Sequence, residues 1–475
     1  MNFETVIGLE VHCELTTNSK MFSSSPVTFG KDPNTQVNEV DLGMTGTLPV
    51  LNKKGVEYAL RVCHTLNMEI NELLRFDRKN YYYSDLPKGF QITQDRYPIG
   101  RNGTMEIEVD GKKKIIEIER LHMEEDTAKQ LHFDDHTLID YNRAGIPLIE
   151  IVTKPTIRSG KEAAAYLEKL RSIFLYTEVS DAKMEEGSMR CDVNISIRPY
   201  GSDQFGTRTE IKNLNSISNV QKAIEFEASR QEKILLAGGE VLQETRRFDE
   251  ALKETVLMRS KGDAVDYKYY PEPNILPIRL DHQWVEHIKE TLPEMPEARV
   301  KRYVEVCHLP EVDAKILVQA KEVSDYYDEA IQYTKEYKLV SNWILGEVMA
   351  YMNKSNETIT ELKMKPAYLA QMINFIEDET ISSKQAKKVF DLMVKTGQDP
   401  ETIIEQNHMK QISSPDEIRA IVNTILEKNP QSIEDYKNGK DRAVGFLVGQ
   451  IMKATGGQAN PSVTNKILIE ELKSR

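Results

Sequence analysis

The chain has 475 residues, 29% of them charged and 40% hydrophobic, and a formal charge of −13. That length exceeds what one hydrophobic core organises and predicts about two to four domains. The acidic balance argues against a protein that binds nucleic acid through bulk charge alone. No apolar run approaches the roughly 20 residues that cross a bilayer. The start, MNFETV, lacks the basic and apolar regions of a signal peptide, so no membrane role and a cytoplasmic location are expected. Cys13, Cys63, Cys191 and Cys307 lie far apart with no CxxC pair. Neither structural zinc nor a disulfide framework is expected.

Residues 1–290 read as short alternating strands punctuated by Gly, Pro and Asn turns. In VIGLEVHCEL (6–15), alternation puts Glu10, His12 and Glu14 on one face and Leu9, Val11, Cys13 and Leu15 on the other. GMTG (43–46) is too short to count as a phosphate loop, and the chain has no GxxxxGK[ST]. FDRKNYYYSDLPKGFQITQ (76–94) combines basic residues, tyrosines and a Pro-Lys-Gly turn. Lys79 and Lys88 are candidates there for holding a phosphate or a carbonyl, beside the plainer reading of a Tyr-rich hairpin with solvated lysines. IIEIERLHMEED (115–126) ends in Glu124, Glu125 and Asp126, and parity leaves open which acid points inward. In LIDYNRAGIPLIEIV (138–152), a polar turn on Asp140, Asn142, Arg143 and Gly145 runs into an apolar strand carrying one acid, Glu150. An ionised carboxylate among Ile149, Ile151 and Val152 is costly unless a cation or a donor meets it.

Helical spacing follows over about Gly160 to Tyr176 and about Ser216 to Leu236. Between them, RCDVNISI (190–197) aligns Arg190, Asp192, Asn194 and Ser196 opposite Val193, Ile195 and Ile197. RTEIKNL (208–214) aligns Arg208, Glu210 and Lys212. The proline-marked LPEMPEAR (292–299) ends the strand-rich part, and nearly everything beyond it is helical. A loop near Gln406 to Pro415 sets off a last section. That section, from Met409, holds ten Lys/Arg and eight Asp/Glu, a balance of +2, which leaves −15 for the remainder. GGQANPSV (456–463) breaks it before a terminal helix and is expected to offer exposed backbone.

Four strand-like segments thus carry acids where a core would want aliphatics, which suggests one shared site filled by a cation. Hard oxygen donors with at most one imidazole suit magnesium better than zinc. Interleaved Arg and Lys suit an anion beside that metal. The plainer alternative is the solvated outer face of an antiparallel sheet.

The motifs IGLEVH (7–12), LGMTGTLPVLN (42–52), FDRKNYYYSDLPKG (76–89), DYNRAGIPLIEIV (140–152), EGSMRCDVNIS (186–196), TEIKNLNS (209–216), DYKYYPEP (266–273) and GGQANPSVTN (456–465) span the chain. In them the chain resembles the B-subunit family (GatB) of bacterial tRNA-dependent amidotransferases. HMEEDTAK (122–129) departs from the more usual LEEDxGK but keeps the acids. The resemblance implies an α+β protein in three parts. A cradle over 1–292 would share the glutamine synthetase and guanidino kinase fold. An all-α domain over 293–408 and a small helical YqeY-like, tRNA-binding tail over 409–475 would follow.

It also implies a reaction. ATP and Mg2+ would phosphorylate the side-chain carboxylate of Glu-tRNA(Gln) or Asp-tRNA(Asn), and ammonia from a glutaminase A subunit would displace the phosphate. A small C subunit would complete a heterotrimer. Glu10, His12, Glu150, Asp192 and Glu210 would be metal and nucleotide-site residues, with Glu124 or Glu125 joining them. Ser188, Arg190, Asn194 and Lys212 would sit around the phosphates, and Glu10, His12, Glu150, Lys79 and Lys88 would serve the chemistry. Two other readings compete: a tRNA-binding scaffold whose partner does all the chemistry, and a free-standing acid–ammonia ligase. Acids buried at a cost oppose the scaffold; the absence of a glutaminase nucleophile and the long helical appendage oppose the free-standing enzyme.

Overall fold

Alternation over residues 7–14 marks the middle strand of the largest sheet in the structure, a computed structural model describing residues 2–260, 266–412, 414–437, 440 and 442–475. This strand, β1 (Phe3–Glu14), belongs to a nine-stranded sheet. Its other members are β2 (Glu69–Ile70), β3 (Gly100–Val109), β4 (Lys112–Glu125), β5 (Pro147–Thr153), β6 (Met189–Pro199), β7 (Thr209–Lys212), β8 (Glu244–Asp249) and β9 (Glu254–Ser260). The spatial order is β9-β8-β7-β6-β1-β5-β4-β3-β2. Every pairing is antiparallel except β7 with β8, so the sheet is mixed.

Three helices cover one face of this sheet: α1 (Lys53–Thr65), α2 (Gly160–Tyr176) and α3 (Ile217–Leu236). Asn52, Ser159 and Ser216 cap them, each side chain accepting from a backbone N–H in the first turn. Leu9, Val11, Cys13, Ile149, Ile151, Val193 and Ile195 pack there against Leu60, Leu167, Leu170, Val220 and Ile224. Burying each such aliphatic contributes about 1.5–3 kcal/mol. A slip of one residue would turn all of them to the other face, so the core pins the register. The same register fixes what the opposite face displays. His12 lies opposite Glu150 on one side and Arg190 on the other, Glu10 opposite Asp192, Glu150 opposite His122, and Asn194 opposite Glu210.

The chain divides into two compact units, Met1–Met295 and Pro296–Arg475. The second is helical from Pro296–Glu305 to Pro461–Ser474. Its last helices share a small core of Ile418, Val422, Leu426, Leu447, Ile451, Ile467 and Leu468. The GGQAN turn does not offer the open backbone expected of it. Ala459 and Asn460 are buried. The Ile412 N–H donates to the Gln458 carbonyl at 2.7 Å, and the Asn460 N–H returns a bond to the Ile412 carbonyl at 3.1 Å. The Asn460 amide also donates to Glu379 Oε2 at 2.6 Å. The turn satisfies its polar groups on a neighbouring segment rather than on water. Among the described residues no helix is long and apolar enough to cross a membrane.

Candidate functional site

The face of the sheet away from the helices gathers most of the polar residues singled out above. Glu150 is not embedded on both sides. Ile149 and Ile151 turn into the core, while Glu150 turns the other way, toward two imidazoles. His12 Nε2 lies 3.2 Å from Glu150 Oε2 and 3.6 Å from Glu124 Oε1. His122 Nε2 lies 3.4 Å from Glu150 Oε2 and 3.5 Å from Glu124 Oε2. Thr93 Oγ1 donates to Glu124 Oε2 at 3.3 Å.

One nitrogen of His12 and one oxygen each of Glu124 and Glu150 all lie within 4.8 Å of one another. Octahedral magnesium, with bonds near 2.1 Å, places its ligands about 3 Å apart when adjacent and about 4.2 Å apart when opposite. The His12 separations of 3.2 and 3.6 Å lie within that range, so the trio of two carboxylates and one imidazole is a candidate seat for a small divalent cation. Of the two acids whose direction the sequence left open, Glu124 is the one beside His12 and His122. Glu125 is turned elsewhere: both its oxygens take the Lys88 ammonium at 2.5 Å, and Oε1 accepts the Ile92 N–H at 3.0 Å.

A second group lies one register step along. Asn194 Nδ2 donates to Glu10 Oε1 at 2.8 Å. Lys212 Nζ sits 2.5 Å from Asp192 Oδ2 and 3.3 Å from Glu210 Oε1, and Thr245 donates to Glu210 Oε2 at 2.9 Å. Asp192 and Glu210 thus share an ammonium and stand apart from the His12, Glu124 and Glu150 trio. At the other end, Arg190 binds Asp126 directly and approaches Glu14 Oε1 at 3.7 Å. Arg143 Nε lies 3.7 Å from Asp126. Ser188 accepts the Lys183 N–H at 2.9 Å and donates to Asp181. Ser188, Glu14 and Arg143 line a cavity of about 690 Å³ that also takes in Lys31, Lys129 and Phe29. Lys79 is not drawn into these groups; its ammonium stands 4.8 Å from the Tyr267 ring and 5.8 Å from the Tyr81 ring.

The electrostatics follow from this crowding. Burial works against charge on Glu150, but His122 and His12 outweigh it and hold its carboxyl well below the usual range. Burial likewise opposes charge on His122, yet Glu150 and Glu124 push the imidazole up to about 9. His12 is raised for the same reason. Glu10 is raised by burial first, then by repulsion from Glu150 and Asp192. Glu14 and Asp126 face each other, and they divide the work of one proton. Burial and then Asp126 push Glu14 up to about 9. Asp126, despite its own burial, is held down to about 2 by Arg190 and Arg143.

A carboxyl that keeps its proton to about 9 loses folding stability as pH rises from its ordinary 4.5 toward 9, because the unfolded chain has released that proton. Glu14→Gln mimics the protonated acid without this penalty. We expect the variant, without added divalent cation, to be more stable than the wild type at pH 8, on the order of 1 kcal/mol or more. The difference should vanish near pH 4, as read by thermal melts across pH.

His122, Tyr81, Tyr267 and Tyr269 lie in segments read from the sequence but were not among its candidate site residues. Tyr81 and Tyr269 feel the charge of Glu124, and Tyr81, Tyr267 and Tyr269 form a run of edge-on rings. For His122 a signal existed: it stands two residues before Glu124, the spacing that puts both on one strand face. All four cysteines are buried, and burial pushes the Cys13 thiol up to about 12.

Comparison with known proteins finds relatives along the whole chain. Residues 5–286 match the GatB/GatE catalytic domain family, and residues 325–472 match the family described as GatB domain. Over 100% of both chains, the sequence is 57% identical to the B subunit of the aspartyl/glutamyl-tRNA(Asn/Gln) amidotransferase of Oceanobacillus iheyensis. The B subunits of the same name from Geobacillus thermodenitrificans and Bacillus mycoides are each 56% identical, again over 100% of both chains.

Proposed function

The chain belongs to the GatB family, and from that premise we propose that it activates and amidates the side-chain carboxylate of Glu-tRNA(Gln) or Asp-tRNA(Asn). The relatives' name, the B subunit of an amidotransferase, supports this role and a complex of several subunits. Under this reading the partners are a glutaminase A subunit, a small C subunit and the misacylated tRNA. The first part, 1–292, acts as a cradle of the glutamine synthetase and guanidino kinase kind. The helical part, 293–408, and the YqeY-like tail, 409–475, hold tRNA and partners.

The chemistry needs little covalent help. A carboxylate has no leaving group for ammonia to displace. Transfer of the γ-phosphoryl group of ATP to a carboxylate oxygen forms an acyl phosphate and releases ADP. Ammonia then attacks the carbonyl carbon, the C–O bond to phosphate breaks, and amide and phosphate leave. Catalysis of this kind rests on positioning and charge neutralisation. His12, Glu124 and Glu150 would hold magnesium, which supplies charge to the phosphate oxygens. Lys212 and Arg190 flank the trio on the same face and serve phosphate from either end, with Asn194 orienting Glu10 between them. When Lys212 turns to a phosphate, Asp192 and Glu210 are freed for a cation. Ser188 serves a phosphate beside Arg190, while Lys79 and the Lys88–Glu125 pair serve the carbonyl and incoming ammonia.

The observation that carries this reading is the His12, Glu124 and Glu150 trio between two cationic groups on an open sheet face. A hydroxylamine trap tests it. The assembled complex, given charged tRNA, ATP and Mg2+ but no glutamine, should yield the hydroxamate of the glutamyl or aspartyl side chain and an equal amount of ADP. No hydroxamate would favour the scaffold reading. Hydroxamate from the isolated chain and free glutamate would favour a free-standing ligase.

A further inference from the structure

We propose that His122 is a positioning residue, whose Nε2 orients Glu124 and Glu150 so that, with His12, they bind a divalent cation. This rests on the metal site proposed above and names what holds that site in shape. β4 and β5 are neighbours, and their register sets His122 directly opposite Glu150. Glu124 follows two residues later on the same strand face. One nitrogen thereby reaches both acids, at 3.5 Å to Glu124 Oε2 and 3.4 Å to Glu150 Oε2.

The two imidazoles are not equivalent. The side chain of His12 is 22% exposed and that of His122 only 7%. Glu124 offers one oxygen to each ring: Oε1 to His12 and Oε2 to His122. His12 thus stands at the open side of the acid pair and His122 behind it. A group with so little exposure does not touch a substrate; it acts through the carboxylates.

The other ring nitrogen supports the assignment. His122 Nδ1 is buried and has no hydrogen-bond partner among the described residues. A histidine kept only for packing satisfies its polar atoms, because an orphaned nitrogen in the interior costs stability. Among the described residues, the polar contacts of this ring go to the two acids. Without it, among the described residues, His12 on the open side would be the one imidazole left between Glu124 and Glu150, and Thr93 the donor left to Glu124 Oε2. Like charges so placed turn apart, and that change spoils a cation site. Outer partners that orient metal ligands typically matter by about 10–100-fold in metal affinity.

The test uses Mn2+ as the probe, binding to the full chain and read from the electron paramagnetic resonance of the free ion, so no catalytic turnover enters. His122→Met fills the space without a donor. His122→Gln returns an amide N–H near the position of Nε2. His12→Ala removes a ligand. We expect the methionine variant to bind Mn2+ about 10–100-fold more weakly than wild type and the glutamine variant to recover most of the loss. Wild-type affinity in His122→Met overturns the positioning role, as does a glutamine variant no better than the methionine one. Should His122→Met fail to fold, the glutamine variant decides alone: affinity within tenfold of wild type supports the role, and a larger loss overturns it. If wild type binds no Mn2+, or His12→Ala binds as wild type does, the metal site itself is wrong and both readings fall.

Discussion

Glu150→Ala should all but abolish amidation while the chain still folds and still assembles with its partners. The loss should be on the order of 10²–10³ in kcat, the scale of removing one preorganised charge-stabilising group. Glu150 is the acid on which both imidazoles converge, through Oε2 at 3.2 Å from His12 and 3.4 Å from His122. Without it the trio falls to two ligands, and both rings lose the neighbour that favours their charged forms. Folding should survive because the neighbours Ile149 and Ile151 stay in the helix-covered core. A neutral imidazole is also tolerated in the interior far better than an unpaired charge. The measurement is amidation of charged tRNA by the assembled complex, beside glutamine hydrolysis, which should persist because that site would lie on another subunit. Normal amidation by the variant would sink the proposed site.

How much of this was legible in the sequence depends on how local the signal is. The central strand and its polar face could be read from Glu10, His12 and Glu14 alternating with Leu9, Val11 and Cys13, because a period of two belongs to one strand alone. Helices α2 and α3 were readable to within a residue, since Ser159 and Ser216 cap them and their apolar spacing begins there. Local spacing also put Arg190, Asp192 and Asn194 on one face, as β6 bears out.

What sequence could not give is which strands lie side by side. β1 sits between β5 and β6, and β4 follows β5, so the trio joins residues 12, 124 and 150 across three neighbouring strands. Nothing in the spacing of those residues sets that order. The end of β4 is a harder case: Leu121 to Glu125 are all buried, so alternation has no exposed side to mark. Only the neighbours decide, Glu124 meeting His12 and His122 while Glu125 meets Lys88 from the hairpin at 77–93. The tyrosine run is remote in the same way. Tyr81 and Tyr267 meet edge-on at 5.9 Å from distant parts of the chain, and Lys268 between Tyr267 and Tyr269 is held at a φ of 46°. A positive φ at a lysine is not readable from its residue type. The GGQAN turn failed in the opposite direction: its composition announced a loop, and the loop turned out to be a paired, partly buried one.

That pairing sharpens the expectation for the tail. Deleting residues from about Met409 onward should lower kcat/KM for charged tRNA on the order of a hundredfold, about 2.7 kcal/mol, chiefly through KM. The motivation is a helical unit with its own small core and a positive balance inside an acidic protein. Its contacts would be to phosphates, which position RNA with little sequence reading. Deletion alone is ambiguous, because Gln385 donates to the Met409 carbonyl and Asn460 to Glu379, so the cut also strips bonds from the helices before it. Charge reversal separates the two effects. Lys453 and Lys466 are exposed, and they flank the buried end of the GGQAN turn from the two helices on either side of it. Lys453→Glu with Lys466→Glu leaves Ala459 and Asn460 in place. If the tail grips RNA, the double variant should raise KM for charged tRNA and flatten its dependence on salt by about one unit of slope per lost phosphate contact. Glutamine hydrolysis without tRNA should stay as it was. Unchanged KM across salt concentrations in both the deletion and the double variant would leave the tail a packing element and take tRNA binding elsewhere on the chain.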